Sequence, residues 1–192
     1  GIDHDSLVRS ENILGYSPVQ TGAAFLPMTI LIILVAPVAG KTSDRIGSRG
    51  LMTAGMVLIA TQLVMFSRLS ADASYWDLFP ALLIGGVGMS LTMTPSAAAA
   101  TRSVPVEKAG VGSAVLNSAR QVGGTMGIAV MGAIMAAEAG GERTPAAFME
   151  GFESALLVAA GIAAVGAIVA FTLVRPHEGA GAPEHAAAEP AA

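Results

Sequence analysis

Five stretches almost empty of charge govern what this chain can fold into. Residues 12–40, 50–67, 78–101 and 154–174 hold no Asp, Glu, Lys or Arg, and residues 109–137 hold a single one, Arg120. A helix needs about 20 predominantly apolar residues to cross a bilayer, and each run reaches or approaches that length. Helices at the surface of a soluble protein keep a polar face for water, whereas these segments are apolar around the whole cylinder. In lipid, backbone N–H and C=O groups must be satisfied within the segment, which leaves helix as the form for such runs. The expectation is an all-α polytopic membrane protein with five transmembrane helices, at about 20–39, 50–68, 77–97, 111–136 and 153–174.

Composition narrows the function. Charged residues make up 12% of the chain and hydrophobic ones 53%, against about 25% charged in an ordinary soluble domain. There is no Cys, so disulfides, thiolate metal sites and a Cys nucleophile are excluded. His4, His177 and His185 lie in the flanks, and no pair of carboxylates sits inside a run. No enzyme, metal or cofactor is expected from that pattern. The net charge of −4 does not suggest a nucleic-acid partner.

Basic residues orient the spans, because Lys and Arg concentrate in cytoplasmic loops. Lys41, Arg45, Arg49, Arg102, Lys108 and Arg175 fall on one side, against Arg68 and Arg143 on the other. That side is expected to be cytoplasmic. Residues 1–19 are then an external flank, and they show neither the basic nor the apolar region of a secretory leader. Residues 176–192, PHEGAGAPEHAAAEPAA, are expected to form a disordered cytoplasmic tail. Tyr75 and Trp76 fall at the outer interface, where amphipathic rings prefer to sit.

A dense knot of charge interrupts the first two runs at GKTSDRIGSR, residues 40–49. A short positive-inside turn accounts for Lys41, Arg45 and Arg49 but not for Asp44. A carboxylate there can pair with Arg45 or Arg49, and glycines at 40 and 47 allow a tight reversal. The stretch resembles the G-x-x-x-D-R-x-G-x-R signature of the major facilitator superfamily. GYSPVQTGAAFLP, residues 15–27, and AGVGSAVLNSARQVGGTMGIAVMGAI, residues 109–134, are similar to its fourteen-helix drug:proton antiporter branch.

The resemblance implies export of small lipophilic or cationic compounds driven by protons, from the bacterial cytoplasmic membrane. It implies that Gly40, Asp44, Arg45, Gly47 and Arg49 form a cytoplasmic latch, remade as the transporter rocks between open states. It also implies one more helix before GYSP and a whole N-terminal half. Five spans are then expected to be a fragment that needs those missing N-terminal helices as partners. The alternative is a non-transporting membrane subunit that completes or regulates another transporter.

Arg120 is the one charge inside a span, roughly 14 Å deep by helical rise. Two readings stand: a cavity-facing cation for substrate or coupling, or an Arg that snorkels or is structurally paired. Asn117 and Gln121 are one turn away and extend it into a polar stripe. Gly123 and Gly127, and the crowded Gly85, Gly86 and Gly88, are expected to serve close helix packing.

Overall fold

The computed structural model describes residues 25–69, 74–138 and 144–174. Within them the chain is helical. The elements are α1 (Leu26–Ile46), α2 (Ser48–Ser67), α3 (Tyr75–Arg102), a short 3-10 turn at Val106–Lys108, α4 (Ala109–Glu138) and α5 (Pro145–Leu173). Both expected flanks, 1–19 and 176–192, lie outside the described residues.

Three helix ends differ from the charge-based expectation. α1 does not stop at residue 39 but continues through the charged knot to Ile46. Charged side chains are no obstacle to helix where a span emerges from lipid, and Arg45 sits favourably in the last turn, near the negative end of the helix dipole. The expected loop at 40–49 is thus reduced to one residue, Gly47. Its φ of 89° lies in the region that a side chain disfavours, and its N–H closes the helix on the Ser43 carbonyl at 3.0 Å. α3 runs on to Arg102 through Pro80 and Pro95. α5 starts at Pro145 rather than 153. There Thr144 Oγ1 accepts the Ala147 N–H at 3.2 Å, and proline suits the first turn because its missing N–H would have no helical partner.

Four helices, α1, α2, α3 and Ala147–Leu173 of α5, are long and apolar enough to cross a membrane. α4, expected as the fifth span, has the length at 30 residues but not the composition. Asn117, Arg120, Gln121 and its many glycines dilute the apolar content.

Spatial order does not follow chain order. α3 lies between α1 and α2, α2 packs on α5, and α5 packs on α4. The buried residues are mostly small: Ala39, Ala81, Ala155, Ala160, Ala167 and Ala170, with Ser43, Ser48, Ser67 and Ser90, joined by Leu51, Leu82, Leu156 and Pro95. Many large apolar side chains point outward, as with Ile33 at 65% exposure and Ile128 at 75%. Lipid tails are as apolar as leucine, so burying a large side chain between helices gains little there. Small residues that let backbones approach gain more.

The tightest backbone approach is at Gly55 and Gly88, where α2 crosses α3. A methyl added at Gly55 would sit 2.7 Å from the Gly88 carbonyl, and one added at Gly88 would sit 2.9 Å from the Gly55 carbonyl. Gly85 and Gly86 are closed by Gln62 of α2 and by Met28 and Leu31 of α1. Gly123 and Gly127 are different. Nothing lies within 4 Å of where their side chains would be, so the packing role expected of them is unfilled among the described residues.

Candidate functional site

Two polar joints hold this apolar bundle together. The first gathers the ends of four helices around the knot. Asp44, in the last turn of α1, forms an ion pair with Arg102, the last residue of α3. The expected partners, Arg45 and Arg49, do not take it. On a helix Arg45 points about 100° away from Asp44, and Arg49 is engaged elsewhere. Its guanidinium lies over the Phe171 ring near the end of α5, 4.1 Å from the centroid. Its Nε is buried without a hydrogen-bond partner.

Beneath these charges, Ser43 and Ser48 hydroxyls meet at 2.9 Å in a buried contact across Gly47. Gly40 brings α1 close to α3: a methyl there would touch Thr94 Cγ2 at 3.5 Å. The knot is therefore the point where α1, α2, α3 and α5 are fastened at one end. Tyr75, Trp76 and Phe79 cluster at the opposite end of α3, with centroids 5.8 to 6.0 Å apart.

The second joint is Arg120. Its Nη2 donates to Ser96 Oγ at 2.7 Å and to the Met93 carbonyl at 3.1 Å, both on α3. Asn117 and Gln121 are exposed, and Arg120 spends these bonds on α3 rather than on them. The stripe of three therefore does not assemble into one polar cluster. Among the described residues no group of three or more His, Asp or Glu could hold a metal ion.

Sequence reasoning missed Arg102, Phe171 and Ser96 as partners. Each lies on a helix remote in the chain from the residue it serves. Arg102 counted only as a cytoplasmic charge, and Ser96 had no signal beyond its place beside Pro95.

Small-residue cores, outward-facing leucines and isoleucines, and ionic contacts confined to helix ends define a multi-pass helical membrane protein. The chain belongs to the Major Facilitator Superfamily, which its sequence matches over residues 8–192, a family of transporters and not of enzymes. It is 36% identical over 130 residues to the tetracenomycin C resistance and export protein of Streptomyces glaucescens, covering 68% of this chain and 24% of that protein. It is 33% identical over 177 residues to a puromycin resistance protein of Streptomyces alboniger, covering 85% and 35%. It is 34% identical over 129 residues to the multidrug resistance protein Stp of Mycobacterium tuberculosis, covering 66% and 24%. The chain thus spans about a quarter to a third of the length of these curated relatives.

Proposed function

We propose that this chain supplies most of the C-terminal half of a proton-driven exporter of lipophilic or cationic compounds. In this reading the fastened ends of α1, α2, α3 and α5 are its cytoplasmic latch, and the C-terminus lies in the cytoplasm.

The observation that carries the reading is the Asp44–Arg102 pair. Its side chains are 61% and 42% exposed. An exposed ion pair contributes roughly 0–1 kcal/mol, so it can be broken and remade in each cycle. The apolar core beneath it cannot be remade so cheaply. The resistance and export proteins to which the chain is similar support a drug as cargo.

Substrate sites of such transporters lie between two halves, near the bilayer midplane. The described helices carry Asp44, Asp77 and Glu138 at or near their ends and Glu150 and Glu153 in the first third of α5, and no carboxylate midway along a span. The coupling carboxylate and the facing cavity wall belong to the N-terminal helices. The Gly123–Gly127 face of α4 is open to receive a neighbour.

The test is uncoupler-sensitive ethidium efflux by the complete transporter. Asp44→Asn is expected to abolish efflux while membrane insertion is kept, and Lys41→Gln to have much less effect. Equal and small effects from both would reduce the knot to an orientation signal.

A further inference from the structure

We propose that Arg120 is a positioning residue that locks a bend in α3 at Pro95, making α3 a two-part lever whose joint is held from α4. The inference rests on the transporter reading only for its consequence. The joint itself rests on geometry.

Pro95 is fully buried inside α3. It has no N–H to give the Leu91 carbonyl one turn back, and its ring crowds that carbonyl. Hydroxyls back-bond to the helix on either side of the proline. Thr92 Oγ1 donates to the Gly88 carbonyl at 2.9 Å and Ser96 Oγ to the Met93 carbonyl at 2.9 Å. Such back-bonding bends helices.

Arg120 reaches this weakened turn from α4 and takes both Ser96 Oγ and the Met93 carbonyl. These are two side-chain hydrogen bonds from α4 to one turn of α3. The pairing also offsets the cost of an arginine on a largely apolar helix, several kcal/mol if unpaired in lipid, by giving the guanidinium a backbone and a hydroxyl acceptor.

The two parts of α3 are anchored to different neighbours. The part before Pro95 is pinned to α2 at the Gly55–Gly88 crossing and to α1 by Ser90 Oγ on the Ile32 carbonyl at 3.3 Å. The part after it is pinned to α1 by Asp44–Arg102. It also touches α4, where a methyl at Gly112 would meet the Ala100 carbonyl at 2.9 Å. When the exposed ion pair opens, the part after Pro95 loses one anchor. Arg120 then decides whether the remainder of α3 moves with it or hinges at the proline.

The experiment uses the complete transporter, reconstituted, with any cysteine outside this chain replaced. Spin labels at positions 76 and 103 report the length of α3 and hence its bend. Arg120→Ala and the milder Ser96→Ala are each expected to broaden the distance distribution. Neither is expected to broaden it in a Pro95→Ala background, where the helix is continuous. A distribution unchanged by both variants, or broadened equally with Pro95→Ala, overturns the joint.

Transport gives the separate arm. A joint predicts a maximal rate lowered about ten-fold with KM held within about two-fold, and partial recovery in Arg120→Lys. A KM raised only for substrates of one charge would show that Arg120 contacts cargo, overturning the positioning role. Broadening by Arg120→Ala in a parent that shows no measurable transport would sink the transporter reading and leave the joint standing.

Discussion

Replacing Gly88 by alanine is the sharpest test of how these helices hold together. The new methyl would sit 2.9 Å from the Gly55 carbonyl, 3.0 Å from Leu58 Cβ and 3.1 Å from Ile59 Cγ1. Two of those atoms are backbone or fixed to it, so no rotamer change relieves the contact and α2 must move away from α3. Alanine gains about 1 kcal/mol over glycine in helix propensity. Overpacking of this kind costs about 1–3 kcal/mol. The net is a loss of up to about 2 kcal/mol, which lowers Tm by roughly 4–8 °C for a protein of this size.

Gly123→Ala is the counterpart. Nothing lies within 4 Å of its methyl, so it keeps the propensity gain of about 1 kcal/mol and stabilises the isolated chain. Gly55→Ala with Gly88→Ala should cost less than the two separately, because one separation of the helices accommodates both methyls. The assay is thermal unfolding of the chain in detergent micelles, followed by circular dichroism. A Gly88→Ala chain stabilised as much as the Gly123→Ala chain would refute the close crossing. A Gly123→Ala chain as unstable as Gly88→Ala would refute the distinction between packed and open glycines.

Two further outcomes are expected. A single Cys introduced at position 45 of this Cys-free chain should label with an impermeant reagent only from the cytoplasm, and one at position 76 only from outside; labelling at 45 from outside would reverse the topology. The chain expressed alone, in proteoliposomes with an imposed proton gradient, should show no uncoupler-sensitive ethidium efflux, since it offers one wall of a cavity and no carboxylate midway along a span. Efflux above an empty-vesicle control would mean that several copies assemble a pathway.

The helices were legible because lipid imposes one demand on a whole segment, and an uninterrupted apolar run answers it. Their ends were less legible, since charge marks where a span leaves lipid and not where helix stops. Lys41, Asp44 and Arg45 ride on the last turns of α1 although they read as loop. Gly47 was recognisable as a place to reverse, but not as the whole connection.

Pairings were the least legible part. Asp44 had two basic neighbours in sequence and took a third residue 58 positions away, because helical geometry turns adjacent side chains apart and brings distant helix ends together. The glycines divided for the same reason. Gly85, Gly86 and Gly88 meet neighbours and Gly123 and Gly127 do not, although both groups read alike as small-residue stripes.

The interleaving of α3 between α1 and α2 has a consequence for synthesis. A nascent chain delivers α1 and α2 to the membrane before α3, joined by Gly47 alone. Apart from the Ser43–Ser48 contact at their shared end, they offer little surface to each other. Each docks on α3, which emerges later, and the other flank of α2 waits for α5. The insertion machinery must therefore release two spans as an open hairpin, with Gly40 and Gly55 facing lipid, and keep a gap into which α3 can slide. A ribosome that stalls before α3 leaves a hairpin without the helix that both of its members pack against, and such a species is open to membrane proteases.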